Sequence, residues 1–296
     1  MQLEEIGRII SDHADQRELP IPGLVVLRAD RPTPPEVTMS GTILGFVAQG
    51  VKRVSVGDRT HDYTAGQYLV TSVDLPITGC VLEASPASPY LGFGLVLDPT
   101  VVAELLLIAP VGTRPRALAP ALAVRSASAE MRDVSVRLLR LLDRPEDRAV
   151  LGPSTLRELV WRSMQGPDGD VVRQLGLQHG NAPDVRRAVR WLRHNYAEPV
   201  RVEDLAQLAS MSSSTFHKAF TAVTAMSPIQ FQKRIRLQEA RRLLVAGETD
   251  VTSAAHTVGY DSPSQFSREY RRLYGAPPGR DTRGLRTVGA PDVAAG

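Results

Sequence analysis

The sequence predicts an α+β protein of two domains. An N-terminal antiparallel β-barrel with trailing helices is followed by an all-α domain of two helix-turn-helix units. Three observations carry this. Residues 20–97 hold short β-branched runs divided by Gly and Pro turns. From about Val202 to Pro278 one helical pattern occurs twice. Charge is uneven: residues 1–180 hold 18 Lys and Arg against 21 Asp and Glu, whereas residues 181–280 hold 15 against 9, net +6. A basic C-terminal third beside a mildly acidic remainder fits one polyanion-binding domain joined to a module of another kind. At 296 residues and 43% hydrophobic content, the chain can fill two cores.

The chain opens with an amphipathic helix, Leu3 to Ala14. Strands are then expected at Leu24–Arg28, Thr42–Gln49, Lys52–Val56, Gln67–Ser72, Gly79–Glu83 and Tyr90–Leu97, and Gly57-Asp58 turns a hairpin into Thr60–Tyr63. Even spacing of short strands argues for an antiparallel barrel or sandwich. His61, Tyr63, Tyr68 and Cys80 are polar-tipped groups that either line a small-molecule pocket or serve as core and rim residues. Cys80, the single cysteine, rules out an internal disulfide; it reads as a core thiol or as a redox sensor.

After Thr100 the period becomes helical. Helices are expected at Val101–Ile108, Ala127–Leu142 and Ser154–Gln165, the last capped by Ser154. Met131, Val134, Leu138 and Leu141 recur at steps of three and four, a seam for a dimer partner or for the chain's own barrel. Turn-rich residues near Gly166 and Gly180 place a linker at 166–184 between a first domain, 1–165, and a second, 185–283; residues 284–296 read as a disordered tail. A helix Val185–Ala197 leads into the second domain.

There, a shift of 50 residues lays Ser212, Phe216, Phe220, Val223 and Pro228 onto Ser262, Phe266, Tyr270, Leu273 and Pro278. Each copy has a capping Ser before one buried helix face, and a short apolar helix precedes each. This is the plan of a helix-turn-helix, whose second helix can enter a DNA major groove. Ser214, Thr215, His217, Lys218 and Thr221, and in the second copy Ser264, Gln265, Arg268 and Arg271, lie off the apolar stripe. With Ser212 and Ser262 they form the candidate DNA-binding set, against the plainer reading of two solvated faces. Ser214, Thr215, Lys218, Ser264, Gln265 and Arg268 suit base edges, and His217 and Arg271 suit the backbone. Between the copies, Pro228–Ala246 carries two apolar faces: Ile229, Leu237, Ala240, Leu243 and Leu244 on one side, Phe231 and Ile235 opposite. Such a helix is either clamped between two small subdomains or buried in one bundle.

The runs LAQLASMSSSTFHKAF, SPIQFQKRIRLQEARRLL and VGYDSPSQFSREYRRLYGAPP resemble the DNA-binding domain of AraC/XylS-type transcription regulators over residues 184–283. The resemblance implies two helix-turn-helix units on a linker helix, binding promoter DNA. Ala225 stands where the family usually has Gly, at the end of the first recognition helix. PIPGLVVLRADRPTPP, QGVKRVSVGD and AGQYLVTSVDLP resemble the cupin-like N-terminal module of a subgroup of the same regulators, over residues 18–108.

Cupin enzymes commonly hold a metal through several histidines and a Glu, whereas this module offers His61 alone, the next histidine downstream being His179. One imidazole does not hold a catalytic metal, so no metal, cofactor or catalytic residue is expected. No nucleophile elbow or Gly-rich phosphate loop is present either. The expected protein is a cytoplasmic transcription regulator rather than an enzyme, without signal peptide or membrane span. Its partners would be double-stranded promoter DNA, a small-molecule effector at the barrel, a second copy through the seam, and RNA polymerase if it activates. The rival readings are a constitutive DNA binder whose barrel only dimerises, and a small-molecule-binding cupin enzyme.

Overall fold

The computed structural model describes residues 1–16, 18–108, 120–166, 169–176, 185–247 and 249–289. The chain divides into two compact units, Met1–Arg186 with Lys218–Met226, and Arg187–His217 with Ser227–Gly296.

In the first unit, helix α1 (Gln2–His13) buries Ile6, Ile9 and Ile10 on one stripe. Among the described residues nine strands follow: β1 (Leu24–Ala29), β2 (Glu36–Met39), β3 (Ile43–Gln49), β4 (Val51–Val56), β5 (Arg59–Thr64), β6 (Gln67–Thr71), β7 (Pro76–Glu83), β8 (Tyr90–Val96) and, after helix α2 (Pro99–Ile108), β9 (Leu122–Ser126). They form two antiparallel sheets, ordered β1-β8-β3-β6-β9 and β2-β7-β4-β5. The expected antiparallel strands are there, but among the described residues the ladders do not close into a barrel. Strands β2 and β9, absent from the sequence reading, are both sheet edges, short and paired on one side only.

The outer face of the larger sheet carries Leu44, Phe46, Tyr68, Val70, Phe93 and Leu95 into one core with α1 and the later helices. Phe46 and Phe93 are cross-strand partners whose rings stack at 5.2 Å. Helix α3 (Ala129–Arg140) is capped by Ser128, which accepts from the Met131 N–H. Met131, Val134, Leu138 and Leu141 are 0–5% exposed inside that core. The seam therefore packs onto its own chain, and the dimer reading of these four residues is corrected: a period of three and four marks a buried face without saying whose.

Helix α4 runs Pro145–Gln165 and holds Pro153 inside it. The sequence reading began this helix at Ser154 because Pro usually ends one. Instead the Ser154 hydroxyl donates to the Leu151 carbonyl within the helix. Helix α5 (Gly169–Gly176) buries Val171, Val172 and Leu175 in the same core, so the helical extension passes the expected limit at 165. Of the expected linker, 167–168 and 177–184 lie outside the described residues.

The remaining helices are α6 (Val185–His194), α7 (Val202–Leu208), α8 (Ser213–Thr224), α9 (Pro228–Ala246), α10 (Val251–Thr257), α11 (Pro263–Tyr274) and α12 (Pro278–Gly289). Helix α12 enters the expected tail as far as 289, and 290–296 lie outside the described residues. Leu237, Ala240 and Leu244 of α9 join Ala254, Ala255, Val258, Tyr260, Phe266 and Tyr270 in one cluster. Phe231 and Ile235, on the other side of α9, are buried too. Both apolar faces are thus covered, while Ile229, at the first turn, stays 38% exposed.

Helix α9 starts in a capping box, Ser227 with Gln230, and ends at Gly247 in the left-handed conformation. Its Arg236 is a hub. The guanidinium donates to the carbonyls of Tyr196 (2.6 Å), Gly259 (2.6 Å), Ala197 (3.0 Å) and Glu198 (3.0 Å). Gln232 adds bonds to Tyr196 and Glu198. The α10–α11 turn and the segment after α6 are thereby fixed to one helix.

Ala225, following α8, has φ +56°, the left-handed conformation expected of a residue in the family's usual Gly position. A Cβ in that region costs about 1–2 kcal/mol. Ala225→Gly should therefore raise stability by roughly 1 kcal/mol net of Gly's greater chain entropy, read as a higher urea midpoint at unchanged slope.

Candidate nucleic-acid interface

Two short helices, α7 and α10, precede α8 and α11, but the two copies are not identical in their turns. The α7 and α10 starts, Val202 and Val251, are 49 residues apart, while Ser213 and Pro263 are 50 apart. The second turn holds Gly259, Tyr260 and Asp261 where the first holds Ser210 and Met211. In each, one residue takes positive φ: Ser210 at +57° and Gly259 at +87°. At Gly259 a Cβ would also run into the Ala197 carbonyl, so the position requires Gly on two counts.

Ser262 caps α11 by accepting from the Gln265 N–H, and Ser212 accepts from the Thr215 N–H at 3.4 Å. Both cap hydroxyls are thus occupied in starting helices. Ser214, Thr215, His217 and Lys218 of α8 are exposed, as are Ser264, Gln265, Arg268 and Arg271 of α11. Lys218, Arg268 and Arg271 form no ion pair with described residues. Unpaired cations on an exposed face are free to meet phosphate or base oxygens. Thr221 departs from the set: it is half-buried, and its hydroxyl is enclosed without a partner among the described residues. The helical wheel placed it just off the apolar stripe, but the buried surface is wider there.

One residue of α11 escaped the sequence reading. Glu269 is 9% exposed, and its carboxylate accepts from Lys233 Nζ of α9 (2.7 Å), from the Tyr260 hydroxyl (2.9 Å) and from Gln265 Nε2 (3.2 Å). Burial opposes its charge, but these three donors outweigh that and hold its pKa below the usual carboxylate value. Its neighbours Phe266 and Tyr270 are wholly buried, and that three-to-four spacing is the signal that would have found it. A second tie joins Arg241 of α9 to Asp281 of α12 at 2.8 Å, with the Tyr270 hydroxyl donating to the same carboxylate. Helix α11 is held on its inner side by two carboxylates, leaving its outer side open.

Residues 20–171, half of the chain, match the family described as AraC-type transcriptional regulator N-terminus. This chain belongs to the AraC-type transcriptional regulators. Residues 205–284 match a helix-turn-helix domain family, over the two copies described above. Among relatives of this AraC-type chain, the HTH-type transcriptional activator RhaS of Pectobacterium carotovorum subsp. carotovorum (strain PC1) is 33% identical over 111 residues, 36% of this chain and 40% of RhaS. A putative AraC-like transcription regulator of Streptomyces lividans is 37% identical over 97 residues, 33% of this chain and 32% of that protein. The chain thus covers less than half the length of these curated relatives. ToxT from Vibrio cholerae shares the fold, with a TM-score of 0.57 at 9% identity over 88% of this chain and 97% of ToxT.

In this AraC-type N-terminal unit the four expected pocket residues separate. Tyr63 lines an inner cavity with Lys52 and Tyr90. His61 lines another cavity with Arg59 and Arg125, and burial, with the charges of these two arginines, lowers its pKa. Tyr68 is turned into the core beside Phe46. Cys80 stands opposite Arg53, on the other side of the sheet from Lys52 and Val54. Strand alternation would have sorted them. Among the described residues no three His, Cys, Asp or Glu are placed to hold a metal, and no helix is long and apolar enough to cross a membrane.

Because Glu269 has a lower pKa folded than unfolded, it stabilises the fold fully above about pH 4.5 and progressively less as pH falls through its folded value. Glu269→Gln should therefore lower the urea midpoint near neutral pH, and the gap to the native chain should close as pH drops below that range. A gap independent of pH would mean that the ionised carboxylate is not what holds α11.

Proposed function

We propose that the chain regulates transcription by docking α8 and α11 into successive major grooves of promoter DNA, with the N-terminal unit conditioning that docking. The observation that carries this is the repeated arrangement itself. Two capped helices, each behind a short helix and a left-handed turn, keep their apolar side buried and leave Lys218, Arg268 and Arg271 exposed and unpaired. In this reading phosphate contacts set the register and base contacts set the sequence. Ser214, Thr215, Lys218, Ser264, Gln265 and Arg268 reach base edges; His217 and Arg271 meet the backbone. The net +6 of residues 181–280 supplies salt-dependent attraction to either kind of duplex.

The N-terminal unit would act through a small molecule or through a second copy. The seam that offered a dimer surface lies inside the fold, which favours the small molecule. Such a regulator works in the cytoplasm on promoter DNA, and contact with RNA polymerase follows if it activates. The family is one of regulators, and nothing in this reading requires catalysis.

Arg268→Ala should weaken binding of the full chain to its selected duplex by about 1–3 kcal/mol and relax the preference at one base pair, measured by electrophoretic mobility shift over a panel of single-base variants. Equal weakening on selected and random duplex would assign Arg268 to the backbone. Unchanged affinity on both would remove α11 from the interface.

A further inference from the structure

On β4 the inward positions alternate as Lys52, Val54 and Val56. A lysine in a row of buried valines breaks the pattern that folds the sheet, and such breaks concentrate at functional positions. Lys52 forms no hydrogen bond or ion pair among the described residues. Burial pulls its pKa down, offset in part by the more distant Cys80 and Glu36. Its ammonium lies 5.9 Å from the centre of the Tyr90 ring.

Two phenols share its cavity. Tyr63 is 5% exposed and Tyr90 3%, and neither hydroxyl has a hydrogen-bond partner among the described residues. Lys52, Tyr63 and Tyr90 thus present three donors without a protein acceptor to one space that solvent or a ligand can reach. Everything else lining the cavity is apolar or glycine, with Phe46 and Phe93 at its base, Val25, Leu27 and Val96 toward the outside, and Gly45 between.

Gly45 opens the space, whereas an added Cβ would meet Val25 Cγ2 at 3.0 Å from Gly94 and Val96 Cβ at 3.1 Å from Gly23. Gly45 and Gly94 are cross-strand partners in the middle of β3 and β8, where strand residues normally carry side chains. Glycine inside a strand marks a place where a ligand or another backbone comes close. At Gly45 an added Cβ would meet only the Tyr63 hydroxyl, at 3.9 Å, so no backbone occupies the space there.

We infer that this cavity binds a small apolar molecule carrying one carboxylate, whose oxygens accept from Lys52, Tyr63 and Tyr90. A carboxylate supplies the charge that Lys52 lacks and accepts from several donors at once. A cavity of about 110 Å³ is smaller than one of about 150 Å³ that takes benzene, which limits the buried part to the carboxylate and the few carbons next to it. The remainder would rest on Val25, Leu27 and Val96, whose exposures of 52%, 45% and 56% are high for such residues. This rests on the proposal that the N-terminal unit takes a small molecule, and not on DNA binding.

The test is isothermal titration of the full-length chain with hexanoate and benzoate, beside the neutral hexanamide and benzamide and inorganic phosphate. Both carboxylates should bind, each at least about tenfold more tightly than its amide, a difference of roughly 1.4 kcal/mol, and phosphate should not compete. Lys52→Met should lose that preference while melting no lower than the native chain, since it removes an unpaired charge. Gly45→Val, which fills the cavity and keeps Lys52, should lose both carboxylates. Equal affinity for acid and amide, full binding by Lys52→Met, or no binding of either acid overturns the inference. Promoter-duplex binding is measured on the same samples. A chain that binds DNA but no acid fails the inference alone, and one that binds acid but no DNA fails only the regulatory reading.

Discussion

Four carbonyl oxygens converge on the guanidinium of Arg236, and the second helix-turn-helix is arranged by that convergence. Each carbonyl belongs to irregular backbone, after α6 or in the α10–α11 turn, where no helix or sheet partner is available. Hydrogen bonds to a charged group contribute about 1.5–3 kcal/mol each, and a buried carbonyl left without one costs a similar amount. Lysine could not replace the group, because a single ammonium lacks the planar fork that reaches separate acceptors. Burial lowers the pKa of Arg236, yet arginine stays charged regardless, so the hub holds at any ordinary pH.

From that hub the candidate interface follows outward. Arg236 fixes the Gly259 turn; the turn places Tyr260; Tyr260 and Lys233 hold Glu269; and Glu269 sets the roll of α11. With its inner side committed to two carboxylates and an aromatic cluster, the helix offers Ser264, Gln265, Arg268, Arg271 and Arg272 outward. Rigid support behind an exposed polar face is what base reading demands, since contacts must be held to within a fraction of an ångström. Gln265 is partly engaged by Glu269, which orients its amide rather than leaving it to rotate.

Much of this was legible in the sequence, for identifiable reasons. The 50-residue offset located both recognition helices, because buried Phe216, Phe220, Phe266 and Tyr270 recur at helical spacing. The two faces of α9 were legible from Phe231 and Ile235 lying opposite Leu237 and Leu244. Arg236 was not, because a charged residue on a helix looks the same in sequence whether it is solvated or clamped, and Glu269 was overlooked although it stands three residues after Phe266 on the buried face. Edge strands β2 and β9 were missed because each is short and paired once. The seam of α3 was read correctly as buried, but a sequence does not say which chain covers it. Lys52 was missed among the pocket groups although its alternation with Val54 was in plain view; His61, Tyr68 and Cys80 were chosen by chemistry without asking which face they occupied.

The central claim is that α8 and α11 read DNA together. Selection of bound fragments from random duplex by the full chain tests it most directly. The account predicts a bipartite motif whose halves lie about one helical turn, 10–10.5 base pairs, apart, with one half lost in Arg268→Ala. A single contiguous half-site, or enrichment no better than that of a random pool, would contradict it.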